Sequence, residues 1–185
     1  AEFETTRFGT VAELISAGTQ AASVAVPTIG HHAVVKELLE AGIDVLVEKP
    51  IATTLDEARD MVEMAKANGC LLQVGHVERF NGAVMALTKA IKKPRFIECH
   101  RMSPFPNRGD DVSVVLDLMI HDIDVVMALD DSEIVSIDAV GVPVLSKEED
   151  IANVRLRFAS GCVANLTASR ISVERMRKIW IFEEN

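Results

Sequence analysis

The stretch Asp44-Val45-Leu46-Val47-Glu48-Lys49-Pro50 limits the folds open to this chain more than any other. Val45 to Val47 reads as a short strand buried on both faces, and the pair Glu48-Lys49 falls where that strand ends, against a proline. Ser23 to Thr28 reads as an earlier short strand. A polar loop follows it and opens a helix from about His31 to Ala41, with Val34, Val35, Leu38 and Leu39 on its apolar side and Gly42 as its stop. Strand, helix, strand at these spacings is a βαβ unit, and in a parallel sheet ligands occupy the crevice beyond the carboxyl ends of the strands. Glu48 and Lys49 stand at that place. The plain alternative is a surface ion pair at a strand end.

The first half continues in the same layer. Val11 to Ala17 reads as one short helix ended by Gly18. Thr54-Leu55-Asp56-Glu57 is a capping box, and the helix it opens carries Leu55, Ala58, Val62 and Ala65 on one face and ends at Gly69. Cys70 to Val74 reads as a third buried strand. After Gly75 the order of elements changes. Gly75 to Asn81 is a polar junction into a helix reaching about Ile91, Arg95 to Met102 a strand, and Ser103 to Asp111 a loop long enough to wall a site. A strong helix is predicted from about Val114 to Leu129. Strands follow near 134–140, 151–158, 162–168 and 175–182, so the second half is α+β with a mostly antiparallel sheet.

Composition removes several functions. Lys and Arg number 19 against 28 Asp and Glu, a net charge of −9, with no basic run beyond Lys92-Lys93, which argues against a nucleic acid or an anionic membrane as partner. There are seven Phe, one Trp and no Tyr, too few rings for a stacking platform. Cys70, Cys99 and Cys162 are odd in number and set among apolar neighbours, so buried thiols in a reducing, cytoplasmic setting are expected rather than disulfides. Neither a signal peptide nor a run of apolar residues long enough for a span is visible.

The 114–129 helix is the second informative stretch. Val114, Val115, Leu118, Met119, Val125, Val126 and Leu129 cover a broad apolar arc, extended by Ile120, Ile123 and Met127, yet Asp117, His121, Asp124 and Ala128 form a stripe at i, i+4, i+7 and i+11. Carboxylates and an imidazole in such surroundings are expected to line a cleft, because burying them without partners is costly. Asp117, one turn before His121, can orient the ring and keep it basic. A buried Asp117–His121 link between domains is the bland reading. A metal set of Asp117, His121 and Asp124, helped by His76, His31 or His32, is a further one, serving a metal-dependent hydrolase, although no H-E-x-x-H and no paired cysteines occur. Asp122 lies off the stripe and is expected to bond a helix cap or backbone. His31 and His32 read equally as a polar first turn.

VAVPTIGHHAVVKELLEAGIDVLVEKP at 24–50, GHVERFN at 75–81 and LDLMIHDIDVVMAL at 116–129 resemble the glucose-fructose oxidoreductase, inositol dehydrogenase and rhizopine-catabolism family of NAD(P)-dependent oxidoreductases. The resemblance implies a partial Rossmann-like parallel sheet at 1–75, the later part of a dinucleotide-binding domain, and at 76–185 a substrate-binding and oligomerisation domain built on an open sheet. It implies NAD or NADP as cofactor and hydride transfer at a hydroxyl or keto carbon of a sugar, nucleotide sugar or cyclitol. Lys49 then corresponds to the lysine between nicotinamide and substrate, and Asp117 with His121 to the acid-base pair, all three touching substrate. Pro27, Thr28 and His31 match the loop bordering the cofactor, and Glu48 and Pro50 the turn beneath the nicotinamide, often with a cis Lys-Pro bond. Arg79 matches a position able to reach a phosphate or the cofactor amide region, and Asn81 one on the substrate side. The GHVERFN form is reminiscent of members acting on UDP-N-acetylglucosamine-type sugars. These residues hold no G-x-G-x-x-G and no acidic residue closing a second strand, so the pyrophosphate cradle is expected to lie in a preceding βαβ unit. The same gap leaves a non-catalytic sugar-binding or sensor relative as the alternative. A homodimer or homotetramer is expected from the open sheet.

Overall fold

The computed structural model describes residues 5–105 and 112–184, divided between two compact units, Ala1–Gly75 and His76–Asn185. The first unit contains α1 (Val11–Ser16), β1 (Ala21–Val24), α2 (His31–Glu40), β2 (Asp44–Val47), α3 (Leu55–Asn68) and β3 (Leu72–Val74). Its strands lie in the order β1-β2-β3, all parallel, with Ser23 opposite Leu46 and Leu46 opposite Gln73. A parallel sheet needs helical crossovers, and α2 and α3 are those crossovers. Val24, Val35, Leu38, Leu39, Val45, Val47 and Met61 form the core between helices and sheet.

The capping box at α3 forms in full. Thr54 Oγ1 accepts from Glu57 N at 3.2 Å while Glu57 Oε2 accepts from Thr54 N at 3.3 Å, and Gly69 closes the helix with a left-handed φ of 67°.

Burial departs from expectation in three elements. Leu46 is 41% exposed between the buried Val45 and Val47, because successive side chains of a strand point to opposite faces and the helices cover only the face of the valines. In β3, Gln73 is likewise exposed and Leu72 and Val74 are only half-buried. In α3 the inward row is Ala58, Met61, Met64 and Ala65, leaving Leu55 63% and Val62 39% exposed.

The second unit contains α4 (Gly82–Ala90), β4 (Pro94–Met102), α5 (Ile120–Leu129), β5 (Ile134–Val142), β6 (Ile151–Phe158), β7 (Val163–Ser169) and β8 (Met176–Glu183). Its five strands run in the order β5-β6-β7-β4-β8, with β4–β7 parallel and the other pairs antiparallel. Ile97, Cys99, Leu156, Phe158, Ala164 and Leu166 from the sheet pack with Met119 and Val126 in one core. Beside it, Asp150 and Arg170 are both fully buried and joined Oδ1 to Nε at 2.8 Å. Asp150 Oδ2 also accepts the N–H groups of Val144, Leu145 and Ser146 at 2.6–2.9 Å. Burial opposes the charge, but the Ser146 N–H, the Arg170 guanidinium and the Val144 and Leu145 N–H groups together hold this carboxyl well below the usual carboxylate range.

The single helix expected at 114–129 is two kinds of helix. Val115–Met119 is wound as a π-helix, and regular α-helix begins only at Ile120. The wider turn changes the angle per residue, so the stripe reasoned at a constant 100° does not run straight through Asp117 to Asp124. Met127 and Ala128, near the end of α5, are exposed rather than buried. Among the described residues no helix is long and apolar enough to cross a membrane.

Candidate functional site

In the first unit the carboxyl ends of β1 and β2 carry most of the residues singled out by the sequence. Chain leaves β1 through Val26 and the exposed Pro27 into a 3-10 turn, Thr28–Gly30, in which Gly30 N donates to Pro27 O at 2.8 Å. It leaves β2 through Glu48, whose N–H donates to Val24 O at 2.9 Å and so draws the two strand ends together. Lys49 follows directly, half-buried, and the Lys49–Pro50 bond is cis.

His31 is 1% exposed and is no loose first-turn residue. Its Nδ1 lies 2.9 Å from Pro50 O and its Nε2 2.9 Å from Val26 O, so one ring bridges the two loops. His32 instead pairs with Asp60 Oδ2 at 2.7 Å, tying α2 to α3. Gly75, just past β3, abuts Glu48: a Cβ there would sit 3.2 Å from Glu48 Oε2 and 3.4 Å from Glu48 Cα. Gly75 N also donates to Val47 O at 2.7 Å. All three strand ends therefore meet around Glu48.

In the second unit Asp117 lies in the π-helical turns and His121 in the first turn of α5, both half-buried, and His121 Nδ1 is shielded from solvent. Asp124 does not line a cleft beside them. It is 7% exposed and held by Arg79, whose Nε lies 2.9 Å from Oδ1 and 2.8 Å from Oδ2 and whose Nη2 lies 2.8 Å from Oδ1. His76 Nδ1 stands 3.9 Å from the same carboxylate. The hydrogen bonds to Asp124 raise the Arg79 pKa further above its ordinary value against the opposing effect of burial.

Asp122 also differs from expectation. It bonds neither a cap nor backbone: it is 3% exposed and receives Arg101 Nε at 3.0 and 3.1 Å and Nη2 at 2.7 Å. Arg101 Nη1 reaches on to Glu78 Oε1 at 3.5 Å, where Arg177 also arrives at 3.2 Å. Burial works against the Arg101 charge, yet Asp122 and Glu78 raise its pKa on balance. Asn81 caps α4, its Oδ1 accepting from Ala83 N at 3.0 Å and its Nδ2 donating to Glu78 Oε2 at 3.4 Å.

Lys49 thus belongs to the first unit and Asp117 and His121 to the second. Part of the expected wall, 106–111 of the Ser103–Asp111 loop, lies outside the described residues. The metal set loses Asp124 to the Arg79 fork, and among the described residues no group of three His, Cys, Asp or Glu side chains is placed to hold an ion. Arg101 was not singled out from the sequence at all. Its only sequence signal is an arginine near the end of a strand, in phase with the inward-facing Ile97 and Cys99, a position that requires a buried partner.

Two family models match the chain. Residues 1–76 fit the oxidoreductase family with NAD-binding Rossmann fold, and residues 85–184 the GFO/IDH/MocA C-terminal domain. The chain is 37% identical over 183 residues to the UDP-N-acetylglucosamine 3-dehydrogenase of Acidithiobacillus ferrooxidans, an alignment covering 98% of this chain and 58% of that protein. It is 35% identical over 124 residues to an inositol 2-dehydrogenase of Rhodococcus erythropolis, over 63% of this chain and 36% of that one. A solved structure of the Acidithiobacillus enzyme superposes with a TM-score of 0.90 at 36% identity, covering 97% of this chain and 60% of that one. The chain thus spans about 58% of the length of the first of these relatives.

Proposed function

The chain belongs to the GFO/IDH/MocA oxidoreductase family, and on that premise we propose that it is part of an NAD(P)-dependent dehydrogenase acting on a hydroxyl or keto carbon of a nucleotide sugar, with UDP-N-acetylglucosamine-type sugars ahead of cyclitols. The observation that carries the proposal is the position of Lys49 directly past the carboxyl end of β2, where a parallel sheet offers its ligand crevice.

The surroundings of Lys49 suit a nicotinamide. Val26 and Ile29, in the segment that leaves the neighbouring strand β1, are 40% and 81% exposed and give apolar surface for a flat ring, and the bare backbone of Gly75 keeps side-chain atoms away from Glu48. A bound nicotinamide dinucleotide would supply the hydride acceptor. Pro27, Thr28 and His31 border it in this reading, and Glu48 and Pro50 shape the turn below.

The reacting groups come from this chain. Lys49 Nζ holds the substrate oxygen and stabilises its developing negative charge during oxidation. His121 takes the hydroxyl proton, and returns it when a ketone is reduced. Asp117 orients the imidazole and stabilises its cationic form. Arg79 and Asn81 enter through the segment they hold against α5 and α4, with the half-exposed Arg79 guanidinium adding positive charge toward a phosphate. NADH formation by the full-length protein with a panel of nucleotide sugars and cyclitols tests the proposal.

We also infer a homo-oligomer. Val140 of β5 and Trp180 and Phe182 of β8 are between 46% and 61% exposed, apolar side chains on the sheet face turned away from the core that a second copy would cover. The free thiols of Cys70, Cys99 and Cys162 fit a reducing compartment such as the cytoplasm.

A further inference from the structure

We propose that Arg101 is a positioning residue for His121, fixing the roll of α5 through its fork on Asp122, with the Arg79–Asp124 fork as its counterpart on the other side of the helix. The inference rests on the reading of His121 as proton acceptor.

Helix geometry carries the argument. At roughly 100° per residue, Asp122 lies about 100° to one side of His121 around α5 and Asp124 about 60° to the other. Both flanking carboxylates are gripped by planar guanidinium groups reaching from elsewhere in the second unit, Arg101 from β4 and Arg79 from the 3-10 turn Val77–Phe80. A rotation of α5 that stretches one fork compresses the other. Hydrophobic contacts alone do not provide this, since Val125 and Val126 pack non-directionally against the core.

The turns on the amino side of α5 are π-helical, so the regular α-helical ladder that carries His121 begins only at Ile120 and does not continue back through Asp117. The Arg101–Asp122 contact is also the better buried of the two, with side chains 7% and 4% exposed. Glu78 joins it to the Arg79 segment, so the two forks act as one frame.

The test uses the full-length protein. The double variant Arg101→Met, Asp122→Leu removes both buried charges and keeps apolar volume, a change that stability generally tolerates. The expected result is at least a tenfold fall in kcat with sugar KM within twofold, and a displaced pH limb in kcat. The His121 ring proton resonances should shift or broaden. A folded double variant with wild-type kcat and an unmoved His121 ring spectrum overturns the proposal. Should that variant not fold, Arg101→Lys keeps the charge but cannot fork, and an unchanged His121 spectrum there overturns it equally. Wild-type turnover in His121→Asn would instead defeat the dehydrogenase mechanism, leaving the ring spectrum as the independent reading of the clamp.

Discussion

His31 Nδ1 lies 2.9 Å from the carbonyl oxygen of Pro50, one residue past Lys49, and the same ring faces Val26 O through its other nitrogen at 2.9 Å. Replacing it with alanine removes the ring that joins the two strand ends and takes its N–H from the carbonyl that accepts it. Leaving a buried polar group unsatisfied costs about 1–3 kcal/mol. We expect His31→Ala to lower the melting temperature and to raise the Kd for NADH severalfold, by fluorescence titration of the full-length protein, while His32→Ala, which removes the half-exposed pair with Asp60, changes NADH affinity little.

Acid should unfold the second unit through Asp150. Its carboxyl is held below the usual range in the folded protein, as is that of Asp130, where the Ser132 and Ser160 bonds outweigh burial. A folded pKa below the unfolded one gives stability that is complete above the unfolded value, near pH 4, and is lost as pH falls toward the folded value. Thermal melts between neutral pH and about pH 2 should therefore be flat to about pH 4 and fall steeply below it, and Asp150→Asn should melt lower at neutral pH with a shallower acid slope.

Thiol reactivity should separate the cysteines. Burial, with Asp122 nearby, pushes the Cys99 thiol up to about 12, and burial with Asp130 pushes Cys162 to about 11, so neither forms thiolate at neutral pH. Cys70 is only partly buried. Alkylation followed by peptide mass spectrometry should label Cys70 in the native protein and Cys99 and Cys162 only after denaturation.

Self-association should depend on the exposed sheet face. Light scattering at micromolar concentration is expected to give a dimer or tetramer, and Val140→Glu with Trp180→Glu a smaller species of unchanged secondary structure. A wild-type monomer contradicts the oligomer.

What the sequence made legible is what local patterns control. The strand ending at Glu48-Lys49-Pro50, the capping box at Thr54 and Glu57, and the strands of the second sheet follow from periodicity and from turn chemistry within a few residues. Leu46 is exposed where the pattern predicts burial, because a run of three apolar residues does not tell whether one or two faces of a sheet are covered. The partners of the acidic residues on α5 were illegible for a related reason. Arg101 is 21 residues from Asp122 and Arg79 is 45 from Asp124, and only the packing of β4 and of the 77–80 turn against α5 decides which cation meets which carboxylate. The π-helical turn is likewise invisible to an analysis at constant helical angle. Lys49, Asp117 and His121 emerged because a charge at a strand end and a polar pair in an apolar helix are each locally anomalous.

Service of Lys49 and His121 in hydride transfer is read in pre-steady-state measurement of NADH formation by the full-length protein with a UDP-N-acetylglucosamine-type sugar. Losing one well-placed charge-stabilising or proton-transferring group typically costs a factor of about 100 or more in rate. A loss of that order is expected in both Lys49→Met and His121→Asn, with cofactor binding retained. Wild-type rates in either variant would contradict it.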